Sequence, residues 1–169
     1  METQIEYDFL NDLKSGKIAS MIKEEIKGEA LQSSIETFNV MKPIFGVNAD
    51  TEIMYCIFLN AKNRIISIEA VTEGSLSAAV VYPREIIKRA LKARAAAFIM
   101  VHNHPSGDPA PSPEDKAITF SMFLAARSIG ITLHEHMIIG SGLKYFSFAD
   151  NMLMMKFKQR YETFCRETF

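Results

Sequence analysis

Apolar residues recur at three- and four-residue steps from Gly16 to about Gly28 and again from Ser34 to about Phe45, the second run after Ser33 and Ser34, which can cap a helix. Two helices are expected. Pro43 and the GVNAD segment (46–50) mark a break, after which EIMYCIFLN (52–60) and RIISIEAV (64–71) are dense in Ile, Val, Phe and Tyr, with AKN (61–63) as a turn between them. That pattern predicts a β-hairpin. Pro83 can open a helix over REIIKRALKARAA (84–96), and AAFIMV (96–101) then shortens to the pattern of a buried strand. HNHPSGDPAPSPED (102–115) holds four of the chain's six prolines and can continue neither helix nor sheet, so it predicts a stiff loop. Ser112 reads as an N-cap and Pro113 as the first helical residue. The helix DKAITFSMFLAARS (115–128) ends at Gly130 and leads into the strand ITLHEHMIIG (131–140). An amphipathic helix from about Asn151 to Glu167 follows. The whole predicts one α/β or α+β domain.

Composition narrows this picture. At 169 residues with 48% hydrophobic and 23% charged positions, the chain can bury one core, and nothing marks it as disordered or fibrous. The formal charge is −1, so direct nucleic-acid binding has little electrostatic support, and neither does a membrane surface. Cys56 and Cys165 stand far apart with no paired spacing, which fits a reducing cytoplasm. No export signal or apolar stretch of roughly 18 residues is found.

His102 and His104 sit at the end of the predicted buried strand, where side chains at i and i+2 point the same way with Cα atoms about 6.6 Å apart. Two imidazoles can therefore converge on one ion. A catalytic zinc keeps three protein ligands and leaves a fourth position to water, so a third ligand is needed. Asp115, on the first turn of the next helix, is the nearest sensible candidate and completes the spacing H-x-H-x10-D. A polar turn followed by an acid answering the helix dipole would produce similar letters. The coincidence of strand end, proline-stiffened loop and helix start favours a metal. The HNH string is not that of an HNH nuclease, whose residues are dispersed over a ββα unit. No H-x-E paired with P-C-x-x-C points to a zinc deaminase.

HNHPSGDPAPSPED resembles the JAMM motif of MPN+ metalloproteases in the form carried by bacterial RadC-like proteins. The likeness runs from about Ser34 to Ala149 through Glu52, FLNAKNRII, the EGS at 73–75, VYPRE at 81–85, EHMIIG and YFSFA. The resemblance implies a cytidine-deaminase-like JAB/MPN fold with a mixed β-sheet flanked by helices. It divides the chain into an N-terminal helical extension (1–33), a RadC-like JAB/MPN domain (34–150) and a C-terminal helix packed on that domain (151–169). It further implies zinc held by His102, His104 and Asp115, with Ser112 beside the metal either as a helix cap or as an aid to the oxyanion. The upstream glutamate that serves as general base falls on Glu52, with Glu73 as competitor. The expected reaction is hydrolysis of a peptide, amide or isopeptide bond, with a peptide or protein as substrate. The alternative is a DNA-repair or recombination-associated accessory protein without peptidase activity.

His134 and His136 form a second H-x-H and are expected to share one face of their strand, with Leu133, Glu135 and Met137 on the other. No helix-start carboxylate follows, so neither is expected to ligate. RadC-like chains carry Asp-His where this one has Glu135-His136, and an outer role for His136 in fixing a ligand's tautomer stays open. NMLMMKFK reads as the inner face of a helix, although an exposed stripe there would serve self-association.

Overall fold

Strands β1 (Ile53–Leu59) and β3 (Ala97–Asn103) are apolar at nearly every position because both of their faces are covered. The computed structural model describes residues 11–13, 15–45, 51–73 and 82–168. Together with β2 (Ile65–Glu73), β4 (Thr132–Ile139) and β5 (Tyr145–Ser147) they form a five-stranded sheet in the order β2-β1-β3-β4-β5. The sheet is mixed: β1 runs antiparallel to β2 and β3, β3 parallel to β4, and β4 antiparallel to β5.

Helices α1 (Lys17–Glu25) and α2 (Ser34–Phe45) cover one face, where Phe38, Met41 and Ile44 pack on Ile57, Ile99, Val101 and Met137. Helices α3 (Pro83–Lys92) and α4 (Pro113–Ser128) cover the other, where Ile86, Ala90, Met122 and Ala126 meet Met54, Phe58, Phe98 and Met100. Helix α5 (Leu153–Thr168) lays Met154, Phe157 and Tyr161 against this second core, and Phe157 meets the Phe120 ring at 5.2 Å. The α+β architecture with a mixed sheet is the one expected. No described helix is long and apolar enough to cross a membrane.

Local chemistry explains most boundaries. Helix α3 stops at Lys92 rather than running to residue 96, because Arg94 turns left-handed (φ 54°) and the Ala95 N–H bonds back to the Ala90 carbonyl at 2.9 Å. Gly130 (φ 76°) closes α4 in the same way, with the Ile131 N–H on the Ala126 carbonyl. Pro43 does not end α2, which continues to Phe45; the GVNAD segment beyond it lies outside the described residues. Strand β5 is too short to announce itself by periodicity.

One expectation is overturned. Phe98 pairs with Leu133 but Ile99 pairs with Glu135, so β4 carries an extra residue, His134, at this point. A bulge of this kind reverses the facing of every residue beyond it. Leu133 and His136 therefore share the face of the second core, and His134 is turned away and exposed, with its Nε2 3.0 Å from Asn63 Oδ1. The two histidines do not form a ligand pair.

The loop after β3 is latched to the end of β4. The Ser141 N–H donates to the Gly107 carbonyl at 3.0 Å, and a Cβ on Gly140 would stand 2.5 Å from that oxygen and 2.9 Å from Pro109 Cδ. Gly140→Ala should destabilise the protein by about 1–3 kcal/mol through overpacking. A thermal melt checks it, and an unchanged midpoint would show that the loop moves aside freely.

Candidate metal centre

Parallel pairing of β3 with β4 requires a crossover, and α4 supplies it, so the carboxyl end of β3 and the start of α4 lie side by side. His102 is the penultimate residue of β3 and is fully buried. His104 lies just past the strand, yet its N–H still reaches the Ile139 carbonyl at 3.0 Å, so the ladder direction holds for one more step. The two Nε2 atoms meet at 3.0 Å.

Asp115 arrives through a capping box. Pro113 opens α4, the Ser112 hydroxyl oxygen accepts the Asp115 N–H at 3.0 Å, and the Asp115 Oδ2 accepts the Ser112 N–H at 2.8 Å and its O–H at 2.6 Å. This reciprocal pair holds the carboxylate against the helix end and brings Oδ1 to 3.2 Å from His102 Nε2, with Oδ2 3.5 Å from His104 Nε2.

Four ligand atoms held tetrahedrally at about 2.0–2.2 Å from zinc stand about 3.3–3.6 Å apart. The His102–His104 contact at 3.0 Å and the contact of His102 with Asp115 Oδ1 at 3.2 Å lie just inside that spacing, and the other Asp115 oxygen, Oδ2, stands 3.5 Å from His104 Nε2. Glu52 Oε1 is 3.8 Å from His102 Nε2, beyond it. Donor atoms of Glu52, His102 and His104 all fall within 4.8 Å of one another, so Glu52 belongs to the same cluster at longer range. The residues present can hold a divalent cation. Glu52 and His104 keep 17% side-chain exposure while His102 and Asp115 are closed off, so solvent reaches the cluster from the Glu52 and His104 side.

Glu52 immediately precedes β1, and Asn103 fixes its backbone. The buried Asn103 amide accepts the Ile53 N–H at 2.9 Å and donates to the Thr51 carbonyl at 3.0 Å, gripping the chain on both sides of Glu52. The rival, Glu73, ends β2 with its backbone paired to Ile53; its side chain, Gly74 and Ser75 lie outside the described residues.

The electrostatics follow the geometry. Burial works to raise the Asp115 carboxyl, but the His102 and His104 rings and the Ser112 hydroxyl around it outweigh that and hold the group well below the usual carboxylate range. His104 is raised above an ordinary imidazole by its hydrogen bond to Asp115, against burial, with the Asp108 carbonyl assisting. His136, wholly enclosed, is pushed well below the ordinary value by desolvation and then by its neighbour His102. Its ring lies between His102 Nδ1 at 2.8 Å and Thr119 Oγ1 at 2.6 Å, stacked on Phe148. Glu135, the departure from the Asp-His pattern, faces away from this network. It accepts from Ser34, from the Ala149 N–H and from Ser147, tying α2 and β5 to β4.

Asn103 and Thr119 were not apparent as site residues in the sequence. The available signals were weak: a polar Asn inside a buried strand end, and a Thr four residues after Asp115 on the same helical face.

Two imidazoles and a helix-start carboxylate at a strand end, on a mixed sheet covered by helices on both faces, define a JAMM-superfamily protein with the JAB/MPN fold. The profile of the RadC-like JAB domain matches residues 31–153, and the chain belongs to that family. It is 48% identical over 103 residues to the UPF0758 protein STH371 of Symbiobacterium thermophilum, covering 61% of this chain and 44% of that one. It is 44% identical over 113 residues to the UPF0758 protein YsxA of Bacillus subtilis, covering 62% and 49%. Its identity to a UPF0758 protein of Rhodobacter capsulatus is 45% over 103 residues, covering 61% and 48%. The aligned segment spans less than half the length of each of these relatives.

A cation entering the cluster must displace the proton that His104 retains to a higher pH than the ordinary 6.5. Zinc binding near neutral pH should therefore release protons and weaken as pH falls through the raised His104 titration. Calorimetry in two buffers of different ionisation enthalpy reads this directly, and equal heats in both would count against it.

Proposed function

We propose that this chain hydrolyses a peptide, amide or isopeptide bond, with His102, His104 and Asp115 holding zinc and Glu52 acting as general base. The observation that carries this reading is the graded spacing of the cluster: three donor groups at ligand separation, and one solvent-reached carboxylate a little farther out. When bound, zinc acts as a Lewis acid that lowers the pKa of water to about 7 and polarises a carbonyl.

Glu52 takes the proton from the attacking water and returns it to the leaving amine, a task that needs a carboxylate at the open edge of the site. Asn103 keeps that carboxylate in place by holding the backbone on either side of it. Ser112 first orients Asp115; its hydroxyl can also turn from Asp115 Oδ2 toward the oxyanion while its oxygen continues to cap the helix. A hollow of about 270 Å³ beside His104, lined by Lys42, Phe45, Asn103 and Pro105 among others, gives an extended peptide a place next to the cluster. We place this activity in the cytoplasm, acting on a peptide or protein.

The test combines metal analysis with a peptide-library screen at neutral pH. Wild type should carry stoichiometric zinc, and His104→Ala should lose it. Glu52→Gln should keep the metal while cleavage falls by about 10²–10⁴-fold, the usual worth of a general base. Cleavage surviving Glu52→Gln and lost in Glu73→Gln would move the base to Glu73. Failure to cleave, together with salt-dependent binding of duplex DNA, would favour the DNA-associated alternative.

A further inference from the structure

We propose that Thr119 and His136 are positioning residues that fix which ring nitrogen of His102 carries its proton, so that the Nε2 lone pair faces the metal centre. The inference rests on the reading of His102 as a ligand, and adds two residues that touch neither metal nor substrate.

The Asp115 backbone carbonyl can only accept, and the Thr119 hydroxyl, one helical turn later, donates to it. That commits the only proton Thr119 Oγ1 has, so toward His136 Nδ1, at 2.6 Å, the oxygen can only accept. Nδ1 of His136 must then carry the hydrogen. A neutral imidazole has one N–H, and His136 is fully buried, so its Nε2 presents a lone pair to His102 Nδ1 at 2.8 Å. His102 Nδ1 is thereby the donor, and its Nε2 is left unprotonated toward His104 Nε2 and Asp115 Oδ1.

In its neutral form His104 reaches the same condition in a single step, since its Nδ1 donates to the Asp108 carbonyl at 2.8 Å. Both imidazoles are thus oriented by a backbone carbonyl. His102 is reached through two intermediaries, His136 and Thr119. Asp115 acts twice: its side chain enters the cluster, and its carbonyl sets the direction of the chain of hydrogen bonds behind His102.

Removing the hydroxyl reverses that direction. In Thr119→Val, His136 Nδ1–H faces a methyl group, so the favoured tautomer moves its proton to Nε2, which then donates to His102 Nδ1. His102 is left with its hydrogen on Nε2, where a cation would bind. Binding must first undo both tautomers.

The experiment is ¹⁵N NMR of the histidine rings in chelator-treated protein, with zinc affinity measured by competition against a chelating dye. Wild type should show His102 protonated at Nδ1 and bare at Nε2, and Thr119→Val should exchange these two signatures. Zinc affinity should fall about 10–100-fold in Thr119→Val, the usual loss when a ligand's outer partner is removed, and recover in Thr119→Ser. A wild-type His102 protonated at Nε2 would overturn the proposal without recourse to any variant. So would a Thr119→Ser protein as weak as Thr119→Val, because the methyl packing and not the hydroxyl would then be at work. Should wild type bind no zinc, the metal reading fails, while the ring signatures still decide the hydrogen-bond chain.

Discussion

The first turn of α4 has backbone N–H groups that its own helix cannot satisfy, and in this fold that turn begins beside the strand end bearing His102 and His104. Ser112 and Asp115 meet the need by capping each other. The arrangement has a consequence beyond helix stability: a carboxylate fastened by two hydrogen bonds to a rigid helix start is held where a loop aspartate would wander. Holding a metal ion would demand that precision, because a displacement of even half an ångström separates a ligand from a bystander. The dependence also runs inward, since the carbonyl of Asp115 anchors the hydrogen bonds that reach His102 through Thr119 and His136.

The sheet supplies the second requirement, a dry and inflexible floor. Both faces of β1 and β3 are buried, so the end of β3 cannot fray into water. Asn103, lying between the two histidines, carries the β1–β3 connection one step past the regular ladder through its side-chain amide. On the other side the contact of Gly107 with Gly140 and Ser141 clamps the proline-rich loop to β4. Each device spans a place where regular pairing has run out and side chains must take over. Imidazoles and carboxylates packed at 3–4 Å in such a place carry a desolvation cost, which a bound divalent cation would offset.

Period and capping chemistry are local, and where they governed, the chain was legible. The helix over Ser34–Phe45, the start of α4 at Pro113 and the hairpin around Asn63 follow from neighbouring residues alone. The spacing of His102, His104 and Asp115 was readable for the same reason, since a strand end, a stiff loop and a helix cap each have a fixed reach. His134 and His136 show where that reasoning ends. Alternation placed them together, and one inserted residue opposite Phe98 and Ile99 put them on opposite faces. A bulge depends on how β4 fits its neighbour, which no property of β4 alone discloses.

The amino-acid order by itself therefore determined the segments, the capped helix and the meeting of His102, His104 and Asp115, because all of these arise within about a dozen residues of one another. Only the tertiary structure decided which distant groups join them: Glu52 and Asn103 brought together by strand pairing, His136 turned inward by a bulge, and Thr119 poised against it from the helix. Those relations depend on register and packing between elements far apart in the chain, and physical contact across the sheet is what creates them.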